Sequence, residues 1–430
     1  MIKTLEIVET PNELPASTSV VIIGGGIVGI NAALTLAERN IPVVVIEKGF
    51  VGAEQSSRNL GWIRKTNRHA DDVPLALASD QLWAGMSERI NRDVDYKQSG
   101  IMFLADNEKQ MGAYESWLES VKSLSLDSKL LSAEEIKAMV PGGEGKWLGG
   151  IYTASDGRAE PSIATSAMAR AAIEKGAVII QNCAVRNLSL SGGKVSGVVT
   201  EKGEIRCEQV LLAGGAWSKA FLSHHGVSLP SLPLICSVMR SKPMNGPTDI
   251  AVAGPDFSFR KHLDGGFVIM QRGAIEARLT LDHFLIGHRY LGQLKQQRDA
   301  LRISVGRHFI EDLKASKRWS RNKSSMFEQI RVMNPDHNSG LNQEALRNLR
   351  KAWPDFEQAE IAEEWGGLID ITPDSKPVID TLDAIPGLTI ATGFSGHGFG
   401  TGPAAGMLAA DLISGTTPLI NPEPYRFDRL

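Results

Sequence analysis

Four consecutive apolar residues, Val20–Ile23, open the most regular part of the chain. A short continuous run bounded by turn residues predicts a strand buried on both faces of a parallel sheet. Glycines follow at Gly24, Gly26 and Gly29, and the residues after them predict an amphipathic helix through about Arg39. A second apolar run, Val43–Ile46, stops at Glu47, completing a β-α-β unit. Residues 209–213 predict another buried strand, closed by Gly214, Gly215, Ala216 and Trp217. Residues 267–272 read as an apolar strand with a charge, Arg272, at its exit. Segment 290–323 is helical in pattern. Near the end, Gly402-Pro403-Ala404 opens an apolar helix to about Ile413, with Pro403 at the first position that helices favour for proline.

Composition narrows the class. A length of 430 residues predicts two or three domains, or one discontinuous arrangement. Apolar residues make up 42% and charged ones 22%, which are globular values. The net charge of −3 argues against nucleic acid as a partner, because backbone binding needs a basic surplus. The three cysteines, Cys183, Cys207 and Cys236, are widely spaced and form no metal-ligand pattern, which fits a reducing cytosol. The polar start is unlike a signal peptide, and no apolar run approaches the ~20 residues a bilayer requires. A cytoplasmic location is expected. Glycine is the one departure: 43 residues, about a tenth, against a usual ~7%.

The first glycines carry the clearest chemistry. Gly24 allows a tight turn, Gly26 lets a pyrophosphate approach the backbone, and Gly29 lets helix meet strand. The helix N-terminus offers free N–H groups to phosphate, and Glu47 stands where an acid accepts ribose hydrogen bonds. The chain then enters a polar loop, Gly52 to Trp62, that suits the ribityl chain and phosphates of a flavin. A late cluster, Gly393-Phe394-Ser395-Gly396-His397-Gly398, precedes the last helix and could aim a second helix dipole at the flavin ring. Motifs hundreds of residues apart that suit one ligand predict a discontinuous cofactor domain.

These residues resemble the glycine oxidase/D-amino-acid oxidase superfamily of FAD enzymes, which includes sarcosine oxidases and bacterial L-amino acid deaminases. The matching motifs are GGGIVG, the E-Q-S-S-R-N loop, VLLAGGAWS at 210–218, W-G-G-x-x-x-x-T-P-D at 365–374 and GFSGHGFG at 393–400. Segments 181–205, 327–332, 402–406 and 421–430 look most like the Proteus-type deaminases. Those enzymes carry an N-terminal membrane segment not present in this sequence, and GFSGHG is closer to sarcosine oxidases. The resemblance implies an α/β fold, α+β overall: a Rossmann-type FAD-binding domain with an interleaved mixed-sheet substrate domain. The first would comprise 1–90, 151–225 and 366–430. The second would comprise 91–150 and 226–365, with a helical module at about 285–325.

The implied cofactor contacts are Gly24, Gly26, Ile27, Gly29, Glu47, Lys48, Gln55, Ser56, Ser57, Arg58, Asn59, Gly61, Val185, Ala213, Gly214, Trp217, Gly366, Gly393, Ser395, Gly396, His397, Gly398 and Phe399. A neutral amine can pass a hydride from Cα to such a flavin, leaving an imine that water hydrolyses to a 2-oxo acid and ammonia. An amino-acid carboxylate is best held by the planar fork of arginine. Arg272 matches a carboxylate-binding arginine of the deaminases, and Arg64 matches one in sarcosine oxidases; their alternatives are a strand-end surface residue and a salt-bridged loop residue. If one holds the α-carboxylate, the other could bind an acidic side chain. His397 borders the flavin or orients backbone, and Trp62 walls the cavity or simply packs. An α-amino acid, L favoured over D, is the expected substrate, with N-alkyl and cyclic imino acids as alternatives. A flavoprotein subunit of a larger complex is another.

Sarcosine oxidases activate oxygen with a lysine over the flavin, and the strand 267–272 contains none. This favours a quinone or respiratory-chain acceptor over O2. No cysteine follows Cys236, so non-covalent FAD is expected. The basic run Lys314, Lys317, Arg318, Arg321 and Lys323, with Trp319, reads as a solvated face. The alternative is peripheral contact with an anionic membrane surface or an electron-accepting partner. Oligomeric state is not readable.

Overall fold

The computed structural model describes residues 5–292, 301–306 and 319–430. β1 (Val20–Ile23), α1 (Ile27–Glu38) and β2 (Val43–Ile46) follow the predicted order. β1 and β2 pair in parallel, with Val20 opposite Val43 and Ile23 opposite Ile46. α1 is not amphipathic as expected, since every residue from Ile27 to Ala37 is buried. The sheet covers one side of it and later helices cover the rest, so an apolar stripe would leave part of its surface unsatisfied.

Next come α2 (Val73–Ala84), β3 (Ile101–Ala105), α3 (Glu108–Ser120), β4 (Gly149–Thr153), α4 (Pro161–Glu174), β5 (Val178–Ile180) and β6 (Gln209–Leu212). β7 (Leu232–Ser241), β8 (Phe267–Met270), β9 (Ile361–Ile371), β10 (Val378–Thr381), β11 (Leu388–Thr392) and α5 (Gly398–Ser414) complete the framework. One sheet has the order β10-β11-β6-β1-β2-β5 and is parallel except for β10. A larger mixed sheet contains β3, β4, β7, β8 and β9. The fold is thus mixed α/β with interleaved sheets. The division expected at 150/151 falls inside β4, and that at 365/366 falls inside β9. The long strand β9 starts in the large sheet beside β7 and ends next to the nucleotide-type sheet's cavity.

Two local expectations change. Segment 290–323 was expected to be helical, yet Leu301–Ser304 is a strand paired in parallel with Ile275–Arg278. Residues 293–300 and 307–318 of that segment, with Lys314, Lys317 and Arg318, lie outside the described residues. Trp319 is packed rather than solvated: it stacks on His224 with centroids 4.0 Å apart and donates Nε1–H to the Arg186 carbonyl at 2.8 Å. Arg321 pairs with Glu204.

The last helix starts at Gly398 rather than at Gly402, so Pro403 sits inside it, not at its first position. Proline cannot donate to the carbonyl four residues back, and its ring opens the ladder. That carbonyl belongs to Phe399, and the next one along, that of Gly400, is bonded from α2. Ser79 Oγ–H and Trp83 Nε1–H donate to the Gly400 carbonyl at 2.7 and 3.0 Å, and both side chains are fully buried. The early start places the N-terminus of α5 directly against the cavity described next.

Candidate cofactor and substrate site

The turn between β1 and α1 borders a cavity whose empty space, open solvent included, is about 1270 Å³. Gly24 has φ +112°, and a Cβ there would stand 2.4 Å from the Ala213 carbonyl oxygen. Only glycine accepts that backbone without strain. A Cβ on Gly29 would meet the Gly24 carbonyl at 2.2 Å, so this glycine permits helix–strand contact and does not line the cavity. Gly24, Gly26 and Ile27 do line it. Ser56 Oγ accepts the Ile27 N–H at 2.9 Å, which folds the 54–59 loop over the helix start.

Glu47 also lines the cavity, and its carboxylate accepts from the Gly25 and Gly49 N–H groups, each at 2.7 Å. Burial raises its pKa, and the two backbone donors oppose that rise. Lys48 lies 4.2 Å from the Trp217 ring centroid and pairs with Glu54 at 2.7 Å. Glu54 also accepts from Trp217 Nε1 at 2.8 Å and from Met333 N at 2.9 Å. Val185, Ala213, Gly214 and Trp217 complete this end.

Gln55 and Asn59 line the cavity too. The Gln55 Oε1 atom is buried without a hydrogen-bond partner. An orphaned buried acceptor costs about 1–3 kcal/mol, so a donor from a ligand would satisfy it. With glycine-lined walls, a helix N-terminus and a ribose-type acid, the chain's residues fit an extended dinucleotide.

Other expected contacts serve as scaffold. Ser57 donates its hydroxyl to the Glu54 carbonyl. Arg58 is buried and donates to Ala53 O, Asn334 Oδ1 and Gly366 O, so both Arg58 and Gly366 brace the loop from behind. Gly61 packs against Ala159, and Gly393 donates its N–H to Asp370 Oδ2 at 2.9 Å. Ser395 Oγ accepts from Thr372 N at 3.2 Å. None of these six lines the cavity, whereas Gly396, Gly398 and Phe399 do.

His397 sits between two of those lining residues and faces Arg64: Nη2 to Nε2 is 3.1 Å. A guanidinium only donates, so Nε2 accepts and the imidazole proton resides on Nδ1. Burial, with Arg68 and Arg64 nearby, holds the His397 pKa well below its ordinary value, so the ring is neutral. Arg64 also donates Nη1 to the Thr66 and Asn67 carbonyls. Burial foremost, then Arg68 and Arg272, push its pKa down to about 9. Trp62, on a two-residue strand paired with Gly157–Arg158, meets Phe103 edge-on at 5.8 Å.

Arg272 lies two residues past β8, with Nη1 donating to the Gly254 carbonyl at 3.2 Å. Burial lowers its pKa, opposed by the Tyr114 hydroxyl beside it. Its Cζ is 4.5 Å from the Phe103 centroid, and that of Arg64 is 5.4 Å from the same ring. Phe103 therefore carries both candidate carboxylate binders. Arg68 is paired with Asp72, both buried. Among the described residues, neither Arg64 nor Arg272 has a carboxylate partner.

Sequence reasoning overlooked Phe103, Tyr114, Arg68 and Asp370. The first two are ordinary aromatics of a strand and a helix. Asp370 lines the cavity, accepts from Gly393 N and Thr392 Oγ1, and is raised by burial to about 6. Among the described residues, no helix is long and apolar enough to cross a membrane.

Comparison with known proteins gives concordant results. Residues 19–412 match the sequence model of the family DAO, FAD dependent oxidoreductase. Glycine oxidase from Pseudomonas aeruginosa is 27% identical over 423 residues, 95% of this chain and 98% of the relative. Sarcosine oxidase subunit beta from Rhodobacter capsulatus is 23% identical, covering 93% and 86%. The structure of L-amino acid deaminase from Proteus myxofaciens in complex with anthranilate superimposes with TM-score 0.95 at 33% identity, covering 99% of this chain and 96% of that one. L-proline dehydrogenase from P. horikoshii follows with TM-score 0.78 at 26% identity, covering 97% and 99%.

Proposed function

We propose that this chain, which belongs to the DAO family of FAD-dependent oxidoreductases, deaminates an L-α-amino acid to a 2-oxo acid and ammonia. The observation that carries the reading is Arg272: a half-buried guanidinium with no salt-bridge partner among the described residues, held over the Phe103 ring. An uncompensated buried charge is costly, and a carboxylate ligand offsets it. Preference for L over D rests on the likeness to the Proteus myxofaciens L-amino acid deaminase.

FAD, when bound, supplies a two-electron acceptor for the hydride leaving the substrate's Cα. Gly24, Gly26, Ile27 and Glu47 would hold its nucleotide end, and Gly396, Gly398 and Phe399 its ring end, where the N-terminus of α5 favours negative charge. Non-covalent binding is supported by the cysteines, none of which lines the cavity. Arg272 orients the α-carboxylate. The positive potential of Arg272 and Arg64 disfavours a protonated amine and so favours the neutral amine that oxidation requires. His397, neutral and accepting from Arg64, positions that arginine and takes no proton. Trp62 and Phe103 exclude water from one side.

A second reading, oxidation of a secondary amine such as an N-methyl or cyclic imino acid, is favoured by the likeness to sarcosine oxidase subunit beta and L-proline dehydrogenase. That subunit also raises the case of a flavoprotein working within a complex. Acceptors are O2 or a quinone. Lys48, the one lysine lining the cavity among the described residues, is tied to Glu54, which supports the quinone.

Arg272→Leu tests the assignment. Loss of a charged, bidentate contact costs about 2–5 kcal/mol, so KM for amino acids should rise by more than 30-fold while the protein stays yellow. Unchanged amino-acid kinetics would show that Arg272 does not bind substrate.

A further inference from the structure

We infer that the substrate carries two carboxylates, with the α-carboxylate on Arg272 and a distal carboxylate on Arg64. Candidates are acidic α-amino acids and N-carboxymethyl amino acids. The inference rests on the reading above and adds the class of side chain.

Charge balance is the first support. Three guanidiniums gather around His397 and Phe103. Arg68 is neutralised by Asp72. The nearby Asp156 accepts from Thr66 and lies 3.3 Å from Lys65 Nζ, which pairs more closely with Asp80 at 2.6 Å. Arg64 and Arg272 remain, neither in a direct ion pair among the described residues, with Asp156 and Asp72 acting on Arg64 only from a distance. A monocarboxylate would leave one of the two guanidiniums without an ion-pair partner, and a dicarboxylate pairs both.

Donor count is the second. A guanidinium has five N–H donors. Arg64 spends two on carbonyls and one on His397. Arg272 spends one on Gly254 and one on the Tyr114 hydroxyl. Each keeps at least two donors, enough for a two-point carboxylate contact. His397 cannot serve as an anion donor through Nε2, because Arg64 occupies that atom.

Spacing is the third. The two guanidinium carbons lie 5.4 and 4.5 Å from one ring centroid, which keeps them within about 10 Å of each other. An aspartate- or glutamate-sized molecule can reach across that gap with a carboxylate at each end. Cation–π contact with the shared, buried Phe103 ring holds both guanidiniums in place without using a donor.

The test uses the FAD-loaded enzyme. Anaerobic flavin bleaching and dye-coupled turnover are measured with L-leucine, L-phenylalanine, L-aspartate, L-glutamate and N-carboxymethylglycine. At least one diacid should exceed both neutral amino acids by 100-fold or more in kcat/KM. Arg64→Gln should remove most of that advantage, lowering kcat/KM for the diacid at least tenfold more than for the neutral substrates. Because Arg64 also braces the Thr66 and Asn67 carbonyls, Arg64→Lys provides a folded control that keeps the charge and should retain part of the preference. A binding readout independent of turnover is the flavin difference spectrum, in which glutarate should bind at least tenfold more tightly than butyrate. Neutral substrates equal to diacids, or glutarate no better than butyrate, would overturn the inference while leaving amino-acid oxidation intact. Bleaching by none of the five compounds would overturn both.

Discussion

Asp370 should destabilise the fold at neutral pH, and replacing it with asparagine should show by how much. Its carboxyl faces the cavity and accepts from Gly393 N at 2.9 Å and Thr392 Oγ1 at 3.3 Å. Two neutral donors do not repay its desolvation, so its pKa rises from 3.8 to about 6. Below the unfolded value both states are protonated and the group contributes nothing. Between there and about 6 the unfolded chain ionises first, so stability falls as pH rises. Above about 6 the penalty is constant, at roughly 2–3 kcal/mol with residual solvent access allowed for. Asp370→Asn keeps an oxygen acceptor for both donors and cannot ionise. Urea unfolding with fixed excess FAD, from pH 4 to pH 8, should show the variant gaining stability over the parent as pH rises. The gain should plateau above about pH 7. A variant less stable at every pH, or a difference that does not change with pH, would refute the argument.

Further outcomes follow from packing. The Gly400 carbonyl has two donors, so Ser79→Ala and Trp83→Phe should each cost about 1 kcal/mol or somewhat more. Together they orphan a buried carbonyl, and the double variant should exceed the sum by about 1–2 kcal/mol in a double-mutant unfolding cycle; strict additivity would mean that the Gly400 carbonyl is satisfied some other way. Gly29→Ala places a methyl 2.2 Å from the Gly24 carbonyl, so the purified protein should lose its absorbance near ~450 nm. At Gly112, inside α3, an added methyl meets nothing within 4 Å, and Gly112→Ala should raise stability by about 0.5–1 kcal/mol in the same unfolding assay.

The parts legible in sequence were those in which a local pattern implies a local structure. The β1-α1-β2 unit is written in an apolar run, three glycines and an acid, all within one stretch. The proposed substrate site is not written that way. Phe103 is one apolar residue of a buried strand, and its role arises only because Arg64 and Arg272 reach it from distant segments. The Arg64–His397 contact joins a loop near the start to one near the end. Pro403 misled because proline usually begins a helix, and here it sits inside one, where side chains of another helix bond the adjacent Gly400 carbonyl. The strand Leu301–Ser304 overrode a helical pattern because Ile275–Arg278 offered it an open edge.

The order of strands in the parallel sheet also bears on how the protein is made. β1 and β2 emerge early during synthesis, but β6 must follow before β1 gains its second neighbour, and β11 must follow before β6 gains its own. α5, which covers α1, comes later still. A nascent chain therefore carries a nearly all-apolar α1 without this part of its cover until Gly398–Ser414 has been made. Such exposed surface is a site for chaperones and for misassembly. Loss of the segment after β11 would then affect the first helix of the chain more than the region around the cut.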